Sequence, residues 1–323
     1  MSDLQGTTTP SAAVSVVIPY FNESDGLQDL FDELVRDLPL SCEVIFVDSS
    51  STDNSADLID AWIATNQQLQ IRNLRTTSTN PGSARNVGIE SARGQLIGFM
   101  DCGLTVSVNW ISEQLNALQS LPPNSWISGT VEGSACGLRN QSVMAITYGL
   151  GRVRAALPTS LVPRRAFDEV GLFPSIRAGE DREWSRSAAD KGWFRAVNRS
   201  VVVKYRTGGY ARTFRHLFGK AVSYSRPTIH THQRHAYLGM LATFCIGTLA
   251  SIRQPQLIFA FSTLYVVARF TSGFVKSRRA FFRFLWPHRI AVLLFTALIV
   301  DFGRVVGTVI GITDLLRAKL KKL

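Results

Sequence analysis

Cysteine is scarce in this chain, with four among 323 residues. Cys42, Cys102, Cys136 and Cys245 lie far apart and form no Cys-x-x-Cys pair. That excludes a disulfide framework and a paired-thiolate zinc site, and a reduced, cytoplasmic catalytic domain is the simplest expectation. A charged-then-apolar leader is also missing: residues 1–13 are polar, rich in Ser and Thr, and read as a disordered N-terminus. No zinc-knuckle or recognition-helix pattern occurs, so nucleic acid is not the expected partner. Acids thin out beyond Arg139, where Arg and Lys dominate, and the chain carries a formal charge of +11. The asymmetry points to an anionic membrane or a phosphorylated substrate.

What the chain does have, over its first 120 residues, is an alternation of two periods. Val14–Pro19, Glu43–Val47, Gln70–Leu74 and Gln95–Met100 are short apolar runs that read as buried strands. Between them lie helical segments. One carries Leu27, Leu30, Phe31, Leu34 and Leu38 behind Ser24 and Asp25. A second carries Leu58, Ile59, Trp62 and Ile63 behind Asp53 or Ser55. A third runs from Ser83 to Ala92 after the Asn80-Pro81-Gly82 turn, and a fourth spans Asn109–Leu118. The expectation is an α/β fold with a mainly parallel, Rossmann-like sheet and helices on both faces. Ligands of such sheets sit outside the carboxyl ends of the strands. Tyr20–Glu23, Asp48–Asp53 and Asp101–Gly103 each follow a strand and should therefore share one rim. Further on, residues 130–158 show no clear period, Val162–Gly171 leads a strand end into a short helix, Glu180–Ala189 reads as a helix and Val201–Tyr205 as a strand.

From Ala236 the character changes. Tyr237–Ile252 and Leu257–Ala268 are apolar but short for a bilayer, which needs about 20 residues. A partly embedded helical hairpin fits them. Ile290–Ile312 is apolar apart from Asp301 and Arg304, spaced to pair on one helix face. Basic segments flank it, with Lys276, Arg278, Arg279, Arg283 and Arg289 before and Arg317, Lys319, Lys321 and Lys322 after. Cytoplasmic retention of both would keep this stretch from simply crossing the membrane. His230, His232 and His235 assemble no closed metal-ligand set. The domains expected are a catalytic domain over residues 14–225, facing the cytoplasm, and a basic, apolar, membrane-associated helical region over 226–323.

Five segments in order resemble the family-2 glycosyltransferases of GT-A fold. They are Val16–Glu23, Val47–Asp53, Gly82–Gly88, Gly94–Asp101 with Asn109-Trp110-Ile111, and Gly179-Glu180-Asp181. The resemblance covers about residues 14–225. It implies inverting transfer of one sugar from a nucleoside-diphosphate sugar to a hydroxyl of a glycan or lipid-linked acceptor. The processive relatives carry a Gln-x-x-Arg-Trp motif that this chain lacks, so single addition is expected.

That chemistry needs a nucleotide grip, positive charge at the leaving diphosphate and a general base. The candidates for holding the nucleotide sugar are Pro19, Tyr20, Asn22, Glu23, Asp48, Ser49, Arg85, Asn86, Asp101 and Glu180. Asp48 follows a strand, where a carboxylate accepts from a base or a ribose hydroxyl. The family's second acid is replaced by Ser49, and Asp53 reads as a helix cap. Arg85 and Asn86 lie near a helix start, which favours phosphate. Asp101 is the candidate ligand for Mg2+ or Mn2+, although Gly103 stands where the family's Asp-x-Asp has its second acid. Without metal, Arg85 and Arg182 would offset the diphosphate. Asp181, at a helix start whose dipole favours the ionised form, is the candidate base. Trp126, Trp184 and Trp193 are either core or acceptor-cleft walls. Two alternatives stand beside this reading. One is a catalytically decayed, membrane-bound scaffold of the same fold, which Ser49 and Gly103 favour. The other is a nucleotidyltransferase, which would want a basic glycine loop after the first strand.

Overall fold

The computed structural model describes residues 13–39, 41–205 and 213–320. All but the last residue of the expected disordered N-terminus lies outside them. The strands are β1 (Val14–Tyr20), β2 (Cys42–Asp48), β3 (Gln70–Arg75), β4 (Leu96–Phe99), β5 (Leu104–Val106), β6 (Ser125–Glu132), β7 (Val153–Ala155), β8 (Leu161–Pro163) and β9 (Phe194–Tyr205). The helices are α1 (Leu27–Asp37), α2 (Ser55–Thr65), α3 (Pro81–Ser91), α4 (Trp110–Gln119), α5 (Leu138–Thr147), α6 (Arg164–Val170), α7 (Glu180–Asp190), α8 (Phe214–Ser225), α9 (Arg234–Arg253), α10 (Leu257–Ser277) and α11 (Pro287–Leu320). The chain divides into two compact units. The first holds residues up to Val131, Ala155–Ile176 and Glu180–Lys204; the second holds Glu132–Arg154, Arg177–Gly179 and everything from Tyr205.

The first unit is built on a sheet of order β3-β2-β1-β4-β8-β6-β9-β5. β1 runs parallel to β2 and β4, β2 to β3, and β6 to β9, whereas β8 is antiparallel to both β4 and β6. The central strands are covered on both faces, which is why they read as unbroken apolar runs. Alternation sorts their side chains. Val16, Ile18, Val44 and Phe46 pack with Leu30, Phe31 and Leu34 of α1, Ile59 of α2 and Trp110 of α4. Val17, Ile45 and Val47 pack on the other side with Ala84 and Ile89 of α3, Phe167 of α6 and Trp184 of α7. Gly88 permits the close seating of α3, since a Cβ there would meet the Val17 side chain. Trp126, Trp184 and Trp193 are all buried in this second cluster, which resolves the alternative in favour of core.

The amino ends of the strands are tied by a buried carboxylate. Glu43 accepts from Ser15 Oγ (2.5 Å), from the Arg93 N–H and from Arg72 Nη2 (2.9 Å). Ser15 Oγ in turn accepts from the Gly94 N–H at 2.7 Å. Burial alone would push the Glu43 carboxyl up, but these donors outweigh it and hold it below the usual glutamate range.

The second unit is helical. Val143, Met144 and Ile146 of α5 share a core with Leu217 of α8 and with Leu293, Ala297 and Val300 of α11. Thr213 caps α8 by accepting the His216 N–H at 3.0 Å. Along α11, Gly303, Gly307 and Gly311 recur every fourth residue. A Cβ on Gly303 would come within 2.7 Å of Ala221, and one on Gly307 would strike Ser225 and Val222, so this small-residue column lets α8 lie close. The helices outrun the apolar stretches read from sequence. α9 has 20 residues, α10 continues into a 3-10 turn to give 28, and α11 runs unbroken through Asp301 and Arg304 for 34. All three are long and apolar enough to cross a membrane. The first two were expected to be too short; Arg234–Ala236 and Arg253 lengthen α9, and a mixed basic and aromatic segment from Arg269 to Phe284 lengthens α10. Ile252, Phe259 and Val275 point outward, at 71%, 77% and 65% exposure.

Candidate active site

The site begins at the carboxyl ends of β1, β2 and β4. Tyr20 and Asp48 are register partners at the ends of β1 and β2, and the Met100 N–H, one residue before Asp101, bonds to Val17 of β1 at 3.2 Å. Asp48 is buried, and its Oδ1 accepts the Ser51 N–H at 2.9 Å, folding the loop back over the strand end. Asn22 Oδ1 accepts the Thr52 N–H at 2.8 Å, and the Asn22 N–H donates to Ser51 Oγ at 3.0 Å. The loops after β1 and β2 are thereby laced together. Both carry left-handed backbone at a residue other than glycine, Asn22 at φ 55° and Ser50 at φ 65°. Strain of this kind concentrates where loop shape serves a ligand. The Glu23 N–H donates to Ser55 Oγ at 2.9 Å; Asp53 was expected to cap α2, but Asn54 holds the cap position and Asp53 lies one residue before it, its Oδ1 accepting from the Ser55 N–H at 3.0 Å.

A buried guanidinium joins the remaining acids. Arg85 Nη1 donates to Glu180 Oε1 at 2.5 Å and Nη2 to Asp101 Oδ1 at 2.9 Å. This links the second turn of α3 and the first turn of α7 to the end of β4. Gly82 keeps α3 close, since a Cβ there would stand 2.6 Å from the Pro174 carbonyl and 3.3 Å from Glu180 Cβ. Burial disfavours the charged form of Arg85, but Asp101 and Glu180 overcome this and raise its pKa further. Burial, aided by the Asp181 carboxylate, pushes Glu180 up against the pull of Arg85. Asp181 lies within electrostatic range of Arg85 and also of Arg195, a β9 residue. Arg195 stacks over Trp126 at 4.8 Å and donates through Nε to Ser128 Oγ at 3.1 Å. Arg195 was not foreseen; the one signal was a basic residue two positions after Trp193, which leads into β9.

Some candidates are occupied elsewhere. Asn86 is clasped to the backbone of Phe173, donating to its carbonyl at 2.8 Å and accepting its N–H at 3.0 Å. The Tyr20 ring is buried edge-on to Phe46, with its hydroxyl on Asn73 Oδ1 at 2.9 Å. Burial raises the Tyr20 pKa. Ser49 is buried, with its N–H on the Tyr20 carbonyl at 2.9 Å, and Pro19 is half-buried within β1.

Among the described residues no three His, Cys, Asp or Glu side chains gather to cage a metal. Asp101 nonetheless suits a divalent ion. Its side chain is 37% exposed, and Arg85 bonds to its Oδ1. A Cβ on Gly103 would meet nothing within 4 Å, so room remains beside it. Mg2+ and Mn2+ are commonly held by one or two carboxylates with substrate phosphates completing the shell. Three acids, Asp101, Glu180 and Asp181, against Arg85 and Arg195 also leave room for added positive charge.

The sheet with its acidic rim has the architecture of the GT-A fold. A mannosyltransferase from Pyrobaculum calidifontis, solved with GDP-Man and Mn2+, is similar to it with a TM-score of 0.55 and 18% identity, over 89% of this chain and 86% of that one. The profile for Glycosyl transferase family 2 matches residues 15–183, and the chain belongs to that family. Glycosyltransferase AglE of Haloferax volcanii is 25% identical over 191 residues, 56% of this chain and 62% of that protein. An uncharacterized glycosyltransferase of Rickettsia felis is 25% identical over 76% of this chain and 41% of its own length. A poly(ribitol-phosphate) beta-N-acetylglucosaminyltransferase of Staphylococcus aureus is 32% identical over 27% of this chain and 15% of its own. The chain thus matches less than two thirds of the length of these relatives.

Proposed function

We propose that the protein transfers one sugar, with inversion, from a nucleoside-diphosphate sugar to a hydroxyl of a surface-glycan or lipid-linked acceptor at a membrane. The observation that carries the reading is Arg85 bonded to both Asp101 and Glu180, beside Asp181. In this reading Asp48 accepts from the base or ribose, and the laced Asn22–Thr52 loops wall the nucleotide. Asp101 holds Mg2+ or Mn2+, which supplies charge at the leaving diphosphate. Arg85 fixes the Asp101 carboxylate and adds its own charge at short range. Asp181 takes the acceptor proton, with Glu180 buried behind it to set the helix start. The domain limits at 14–225 and 226–323, and a cytoplasmic catalytic domain, belong to the same proposal; the basic segments around α10 and α11 support that orientation. Asp181→Asn separates this from the decayed-scaffold reading. Loss of transfer with donor binding kept supports catalysis. An active variant places the base elsewhere, and a wild type that turns over no nucleotide sugar, with or without Mn2+, supports the scaffold.

A further inference from the structure

The second unit holds 22 Lys and Arg but only three acids, Glu132, Asp301 and Asp314. Asp314 is engaged by Arg226 at 2.6 Å. Asp301, midway along α11, carries an unusual load. It pairs with Arg269 of α10, with Arg304 at 3.2 Å, and accepts the Tyr265 hydroxyl at 2.9 Å. One carboxylate thus serves two guanidiniums and a phenol. Neither guanidinium is sealed by this, since Arg269 and Arg304 remain 20% and 24% exposed. Lys276, two helical turns past Arg269, donates to the Ile146 carbonyl at 2.8 Å, a neutral partner. It lies within electrostatic range of Arg269, Arg304 and the exposed Arg152. Three cations and one carboxylate on α10 and α11, helices whose outer faces are apolar, therefore share a locus with Arg152 of the α5–β7 connection, whose Cβ and the Lys276 carbonyl both border Gly149. Cations in such surroundings are costly unless an anion meets them.

We infer that Arg152, Arg269, Lys276 and Arg304 form a binding site for a phosphate carried by a membrane lipid. The arginines offer forked donors and Lys276 a mobile point charge, a combination suited to phosphate oxygens. Asp301 holds the two arginines in place and leaves the locus with net positive charge. The exposed apolar faces of α9 and α10 give the lipid chains a surface to follow. A soluble phosphate would gain nothing from that surface, which is why the site is assigned to a lipid. The inference rests on the membrane reading, not on catalysis.

The test uses full-length protein in phosphatidylcholine nanodiscs, with bound lipid identified by native mass spectrometry. The probes are phosphatidylglycerol, a long-chain isoprenyl phosphate and inorganic phosphate. Wild type is expected to retain at least one of the two anionic lipids over phosphatidylcholine, and which one is retained identifies the phosphodiester or phosphomonoester as ligand. Lys276→Gln and Arg152→Gln should each weaken retention about tenfold, as loss of one charge-assisted contact does. Lys276→Arg should restore it. Equal retention by the Gln variants, retention of phosphatidylcholine as strong as that of the anionic lipids, or displacement of lipid by inorganic phosphate at matched concentration overturns the inference. A protein that does not enter nanodiscs at all overturns the membrane reading with it.

Discussion

The two units solve the problem of charge in opposite ways. The first has 21 acids and 13 bases; the second has three and 22. Among the described residues the buried charged side chains are Glu33, Glu43, Asp48, Arg85 and Glu180, and all belong to the first unit. There two of the buried acids are met by guanidiniums, Glu43 by Arg72 and Glu180 by Arg85. Among its described residues the second unit buries no charged side chain and turns apolar side chains outward instead. The net charge of +11 hides this division: an acidic, ligand-gathering half and a basic half suited to a phosphate-rich surface.

The sharpest way to probe the acidic half is Asp181→Asn, expected to lower transfer by about 10²–10⁴-fold in a donor-saturated assay. Donor affinity, measured by calorimetry, should change little. Arg85→Met should cost about 3–5 kcal/mol in denaturant unfolding, because it strands Glu180 in the interior. If the loss is below about 1 kcal/mol, Glu180 is not held as a buried anion. Glu43→Gln should cost about 1–3 kcal/mol by the same measurement, since it weakens the clamp on Ser15, Arg72 and the Arg93 N–H. Its pH signature follows from a depressed folded-state pKa. The stabilisation is complete above the unfolded value of about 4.3 and disappears as pH falls through the folded value beneath it. Wild type should therefore lose more stability than Glu43→Gln in acid; parallel curves would remove Glu43 from that role. For the basic half, ending the chain after about residue 230 should release it from membranes, and full-length protein found in the soluble fraction would sink the membrane reading. That cut also strips α5 of α10 and α11, so the released chain should melt lower than wild type by differential scanning fluorimetry. The smallest effect is expected from Asp101→Asn, which should blunt Mn2+ dependence more than donor binding.

The legible parts of the fold were those with one strong period. β1 and β2 are buried on both faces, so their apolar runs were unmistakable, and α7 appeared within one residue of its bounds. β6 was not foreseen, because Ser125, Ser128, Gly129 and Thr130 interrupt its pattern although every one of its first seven residues is buried. There Thr130 Oγ1 donates to the Val201 carbonyl, a satisfaction supplied only by the neighbouring strand. β9 was seen only in its last five residues, because Arg195, Asn198 and Arg199 disguise its first half. In the site, the rim position of Asp48 and Asp101 followed from strand ends. The Arg85 bridge did not, since Arg85 and Glu180 are 95 positions apart. Asn86 shows a second role that the motif does not reveal: its amide fastens the Phe173 backbone.

Gly103 carries one last consequence. Its backbone is not left-handed, and the space beside it is open. An aspartate would therefore fit there without disturbing a neighbour. The first carbon of an added side chain meets no obstacle there, so a single replacement can change the number of acids on this rim while the scaffold stays as it is.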